Sequence, residues 1–128
     1  MQVLYDTDFL LSFLVSTEIN NKKAISIYKK HNPHELFALN LVKFELATVL
    51  SRKFDHTFAK QIVLALSEVP FQWLSISEIE EEAIWREYFS YNKKNISFID
   101  SANLVVARTM NMKIATFDSF YPNEIVLK

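Results

Sequence analysis

Apolar residues fall in two rhythms along this chain, short dense runs and longer stretches spaced by three and four. The dense runs are MQVLYD (1–6), ELFAL (35–39), residues 71–76, KIATF (113–117) and a short EIVLK (124–128), and each reads as a strand. Strands this uniformly apolar suit a parallel sheet covered on both faces. Between them the helical rhythm takes over. TDFLLSFLV starts a helix with Thr7 as its cap, and residues 17–31 form an amphipathic helix with a basic polar face, ended by Asn32-Pro33. Asn40 caps a helix to about Lys53, and Asp55 opens another to about Glu68. Ser77 and Glu80 have the spacing of a capping box before EIEEEAIWREYFSY, and a last helix begins near Asp100 and runs to Met110. No linker, repeat or low-complexity tract interrupts the alternation. It predicts a single α/β domain over 1–128, with a mostly parallel sheet of four or five strands flanked by helices.

Four carboxylates break the apolar pattern: Asp6 in VLYDTDFLL, Glu45 in VKFELATVL, Asp100 in SFIDSANLVV and Asp118 in ATFDSFY. Each has an ordinary alternative role. Asp6 and Asp100 can cap helices, Asp118 can hold a turn, and Glu45 can be a solvated helix glutamate. Glu45, however, has Leu41, Val42, Thr48 and Val49 at helical spacing and no basic partner among them. Asp6 and Asp118 fall at C-terminal strand ends, where open α/β sheets bind ligands. An ionised carboxylate among Val, Leu, Ile and Phe is costly unless a cation or donors compensate it. One shared site for a hard, oxygen-seeking cation, Mg²⁺ or Mn²⁺, answers all four at once. Thr7, Ser101, Asn103 and Thr116 lie close enough in sequence to orient its ligands or water.

Composition narrows the chemistry. The 128 residues contain no cysteine, which removes disulfides, zinc–thiolate sites and thiol nucleophiles and suits a reducing cytoplasm. They contain no glycine, so every Gly-rich phosphate loop is excluded, and positive-φ positions fall to asparagines such as Asn20-Asn21, Asn32, Asn92 and Asn111. A net charge of −1 excludes a generally basic nucleic-acid coat while allowing a local acidic site with basic neighbours. The N-terminus lacks a positive n-region and carries two aspartates, and the apolar runs fall short of the roughly 18 residues of a membrane span, so a soluble, cytoplasmic protein is expected. His31, His34 and His56 lack metal-ligand spacing, and Trp73 and Trp85 read as core or interface. Arg52, seven residues after Glu45, returns to the same helix face and can meet a phosphate.

The ordered motifs carry a resemblance. Asp6-Thr7-Asp8-Phe9-Leu10-Leu11 resembles the D-T/S-N/D-hydrophobic opening of PIN-domain nucleases. Phe44-Glu45-Leu46 is similar to that family's mid-chain glutamate helix, Ser97-Phe98-Ile99-Asp100-Ser101-Ala102 to its S-F-x-D-A segment, and Ala115-Thr116-Phe117-Asp118 to its closing T-x-D. Asp8 stands where Asn is commoner, and Ser101 where Ala or Gly is usual. The length resembles that of VapC-type toxins. The resemblance implies metal-dependent endonucleolytic cleavage of RNA, a cognate antitoxin and a homodimer. A non-toxin PIN-like nuclease of RNA processing, or a non-catalytic α/β signalling or binding module, is the alternative. A phospho-receiver module fails because no mid-chain strand ends in an acceptor aspartate: the second ends in Leu39-Asn40 and the third near Ser75.

Overall fold

The computed structural model describes residues 1–127, and its four-stranded sheet is parallel throughout. The elements are β1 (Val3–Tyr5), α1 (Thr7–Leu14), α2 (Asn21–Tyr28), β2 (Leu36–Leu39), α3 (Asn40–Lys53), α4 (His56–Leu66), β3 (Gln72–Leu74), α5 (Glu78–Phe89), α6 (Phe98–Met110) and β4 (Lys113–Ala115). Strand order is β3-β2-β1-β4. The chain thus steps outward from β1 through β2 to β3, then returns across the sheet to lay β4 on the other side of β1. That reversal makes the C-terminal end of β1 the switch point of the sheet.

The dense apolar runs are where the core requires them. Val3, Leu4 and Tyr5 on central β1, and Leu36 to Leu39 on β2, are all buried, as parallel strands covered on both faces must be. Ile114 and Ala115 complete the layer on β4. Helices cover it with Phe9 and Leu10 from α1, Val42, Leu46 and Leu50 from α3, and Leu104 and Val106 from α6. Edge strand β3 is only half-buried. Among the described residues no helix is long and apolar enough to cross a membrane.

Several boundaries differ from the sequence reading, each for a local reason. The helix expected over 17–31 begins only at Asn21, whose side-chain amide donates to the Ser12 and Phe13 carbonyls at the end of α1, 2.8 and 3.3 Å away. Those carbonyls lack intrahelical partners, so Asn21 ties the two helices together at the turn. Asp6, not Thr7, caps α1, and Leu39, not Asn40, occupies the cap position of α3; the Asn40 amide reaches Ser75 instead, at 2.6 Å. KIATF is a strand only to Ala115, because the Thr116 hydroxyl accepts the Asp118 N–H at 2.9 Å and turns the chain. The expected fifth strand shrinks to a single bridge of Val126 with Ile114, helped by Leu127 N–H to the Ile114 carbonyl at 2.9 Å; Lys128 lies outside the described residues. The positive-φ positions are Asn111 (φ 54°), which ends α6, and Asn95 (φ 64°).

Candidate active site

At the switch point the two strand ends are stitched together. The Asp6 N–H donates to the Ala115 carbonyl at 3.2 Å as β1 passes into α1. Two residues on, Asp8 Oδ1 accepts from the Phe117 N–H at 3.2 Å and from the Thr116 hydroxyl at 3.4 Å. Beside this junction opens a cleft of about 290 Å³. Asp6, Glu45, Asp100 and Asp118 all line it, with Thr7, Asp8, Asn95, Ser97 and Asn103 among its other walls. The four carboxylates that break the apolar pattern therefore share one cavity, and Asp8 makes a fifth.

Three of the four fill the ordinary structural roles while also lining the cleft. Asp6, only 5% exposed, accepts the Phe9 N–H at 3.0 Å as the cap of α1. Asp100 sits in the first turn of α6 in a capping box, accepting the Ser97 N–H while its own N–H donates to the Ser97 hydroxyl, both at 3.0 Å. Asp118 accepts the Phe120 N–H at 2.9 Å. These bonds fix the backbone and use one oxygen of each carboxylate. Glu45 differs: among the described residues no backbone N–H donates to it, and the Thr7 hydroxyl leans toward it without closing a hydrogen bond.

The electrostatics are adverse for an unliganded site. Burial pushes the Asp6 carboxyl well above the usual carboxylate range, and neighbouring Asp8 pushes it further. Glu45 is raised by burial, then by the charges of Asp100 and Asp8, against a lowering by Thr7. Asp100 is raised by burial and by Asp118 and Asp8, against the lowering pull of the Ser97 N–H. Beneath them Tyr121, buried and facing Asp6 and Asp100, is held protonated far above its ordinary value. Two cleft-lining polar atoms, Thr7 Oγ1 and Asn103 Oδ1, are buried without a partner. The Asn103 oxygen finds no donor among the described residues and is suited to a cation or a water held by one. The donor set, entirely hard oxygen, fits Mg²⁺ or Mn²⁺. Among the described residues no three acidic or histidine side chains are drawn together tightly enough to enclose a metal as they stand. Asp6, Asp100 and Asp118 are each tied to a backbone N–H, whereas Glu45 is the longest of the four and accepts none among the described residues.

Sequence reasoning missed Asp8 as a member of the cluster, although its setting before Phe9-Leu10-Leu11 is as apolar as that of Asp6. It also missed Asn95, whose left-handed backbone turns the 91–97 loop into the cleft wall. Arg52 is exposed and does not line the cleft, whose α3 wall ends one turn earlier at Val49.

The PIN domain family model matches residues 3–121, and the chain belongs to that family. Among solved structures it is similar to Mycobacterium tuberculosis VapC20, described as a sarcin–ricin loop cleaving toxin, with a TM-score of 0.80 at 19% identity over 93% of this chain and 92% of that one. It is also similar to a toxin–antitoxin complex from Klebsiella pneumoniae (TM-score 0.69, 18% identity, 99% and 97% covered) and to FitAcB from Neisseria gonorrhoeae (0.69, 15%, 92% and 88%). No curated protein matches the sequence. These likenesses establish a shared fold.

The raised carboxyls make stability pH-linked and would link the binding of any cation in the cleft to pH as well. A carboxyl whose folded pKa exceeds its unfolded one binds its proton more tightly when folded, so metal-free stability should rise as pH falls through the raised values of Asp6, Glu45 and Asp100. In EDTA, Tm should accordingly increase between pH 7.5 and 5.5, and saturating Mg²⁺ or Mn²⁺ should raise Tm more at pH 7.5 than at 5.5, because metal and protons compete. Thermal scans that are flat in pH, or a metal effect that grows on acidification, would remove the linkage.

Proposed function

We propose that this chain is a divalent-metal-dependent endoribonuclease whose site is formed by Asp6, Glu45, Asp100 and Asp118, with Asp8 assisting, and that it serves as the toxin of a toxin–antitoxin pair. The carrying observation is the convergence of five carboxylates and two orphaned polar atoms in one cleft at the switch point of a PIN sheet. Asp6, Glu45, Asp100 and Asp118 would hold Mg²⁺ or Mn²⁺. Bound there, the cation would lower the pKa of an attacking water and offset charge on the phosphate and departing oxygen.

The chain's own groups supply the rest. Glu45, unanchored by any backbone N–H and with an elevated proton affinity, is the side chain suited to accept the proton of the attacking water. A P–O bond forms to that water's oxygen as the P–O bond to the departing ribose oxygen breaks, and the departing oxygen takes up a proton from solvent water. Asp6, Asp100 and Asp118, locked by Phe9, Ser97 and Phe120, hold a rigid frame around the reacting phosphate. A carboxylate-lined cleft repels RNA on its own, so cleavage should require added metal. Single-stranded RNA should be cut with Mg²⁺ or Mn²⁺, and excess EDTA should abolish cutting. Undiminished cleavage in EDTA would contradict this reading.

The toxin role is supported by the fold shared with VapC20, described as a toxin, and with a chain of the Klebsiella pneumoniae toxin–antitoxin complex. We infer a cytoplasmic homodimer restrained by an antitoxin that places a basic side chain among the carboxylates, where it competes with metal and phosphate.

A further inference from the structure

Asp118 has a second face. Besides lining the acidic cleft, it forms one edge of a neighbouring hollow of about 390 Å³. The hollow's composition is unlike that of the cleft. Its apolar floor is Ile27 of α2 with Val126 and Leu127 of the C-terminal segment, and its rim carries the hydroxyl of Ser119 and the amide of Asn123. Phe117 supplies an aromatic wall held rigid by stacking on buried Phe9, with centroids 5.1 Å apart and planes 10° from parallel. The Lys23 ammonium lies 6.0 Å from the Phe117 centroid and takes no ion pair among the described residues.

We propose that this hollow is a nucleotide subsite, receiving the base of a residue that flanks the scissile phosphate of a single-stranded RNA. The inference rests on the nuclease reading of the cleft and deepens it. The two cavities share Asp118, so a chain whose phosphate sits in the cleft must run its neighbouring nucleotide past that residue. A planar base has the apolar faces that the floor and Phe117 accept, and edges that Ser119 and Asn123 can pair. The size falls within the range of small-ligand sites, about 300–1,000 Å³. Lys23 stands where a phosphate of the same strand would pass, the one cation on a hollow otherwise apolar or neutral except for Asp118. With a net charge of −1 the protein has little general attraction for RNA, so affinity must come from local stacking and single cations of this kind.

The test is binding of a fluorescein-labelled heptanucleotide RNA to the full chain carrying Asp100→Asn, which keeps the probe uncut, in Mg²⁺, with a single abasic residue moved along the probe. One position should lose about tenfold in affinity, the size expected for removing one stacked base. In a background that also carries Ser119→Trp, which fills the hollow from an exposed position, the intact probe should bind that much more weakly and the abasic position should cost nothing more. Lys23→Ala should weaken intact and abasic probes equally and lower the salt slope. Circular dichroism checks that both variants fold. A flat abasic scan, or a scan unchanged by Ser119→Trp, would overturn the subsite, including the case in which the hollow takes a protein partner instead. Failure of the wild-type chain to cut RNA, with the abasic pattern intact, would remove the nuclease reading and leave the subsite standing.

Discussion

Asp6→Asn should both inactivate the protein and stabilise it. Asparagine caps helices as well as aspartate does, so the bond to the Phe9 N–H survives. What disappears is a buried negative charge beside Asp8, and with it the cost that raises the Asp6 carboxyl. Above the raised folded pKa that cost is fully present; it fades as pH falls toward the ordinary carboxylate range. The gain from the substitution should therefore be largest at pH 7.5 in EDTA, on the order of 1 kcal/mol or roughly 3–5 °C in Tm, and should shrink on acidification. Cleavage should fall by at least about 100-fold, the upper end of what loss of a group merely supporting a metal ligand costs. The stabilisation conferred by Mg²⁺ should shrink in parallel. A variant less stable than wild type at neutral pH would mean the site is not under charge strain. One that is stabilised yet fully active would take Asp6 out of the chemistry.

How far the sequence foretold this depended on whether a residue's role is local. β1 and β2 were legible because an unbroken apolar run has no other place than a covered parallel sheet, and Ser77 with Glu80 announced α5 because a capping box is a four-residue event. That Asp6, Glu45, Asp100 and Asp118 share one cleft was legible because each breaks such a pattern. Asp8 was not: its partners Thr116 and Phe117 lie more than a hundred residues away, and only the pairing of β1 with β4 brings them together. The start of α2 was hidden for a similar reason, since Asn21 serves the end of α1. Arg52 shows a converse limit, for shared helical phase with Glu45 does not say how far along the helix the cleft extends, and the lining stops at Val49. The hollow beside Asp118 draws on α2, β4 and the C-terminal segment, and no local pattern points to it.

Induced alone in a bacterial host, the wild-type chain should arrest growth, and Asp100→Asn at equal expression should not. Asp100 is the informative position because its structural duty and its proposed chemical duty separate there. An asparagine oxygen can still accept the Ser97 N–H, so the first turn of α6 stays formed. The lost charge, by contrast, takes a ligand from the proposed metal site and relieves the repulsion from Asp118 and Asp8. The variant should thus accumulate as a folded protein at least as stable as wild type, which excludes misfolding as the reason for harmlessness. Restoring growth to cells that express the wild type should require only a protein that closes the cleft, and a basic side chain among five carboxylates is the simplest means. Arrest by both forms would trace toxicity to something other than RNA cleavage. Harmless expression of both, at verified equal levels, would remove the toxin assignment, and metal-dependent cleavage measured on the purified protein would then decide whether the nuclease assignment stands without it.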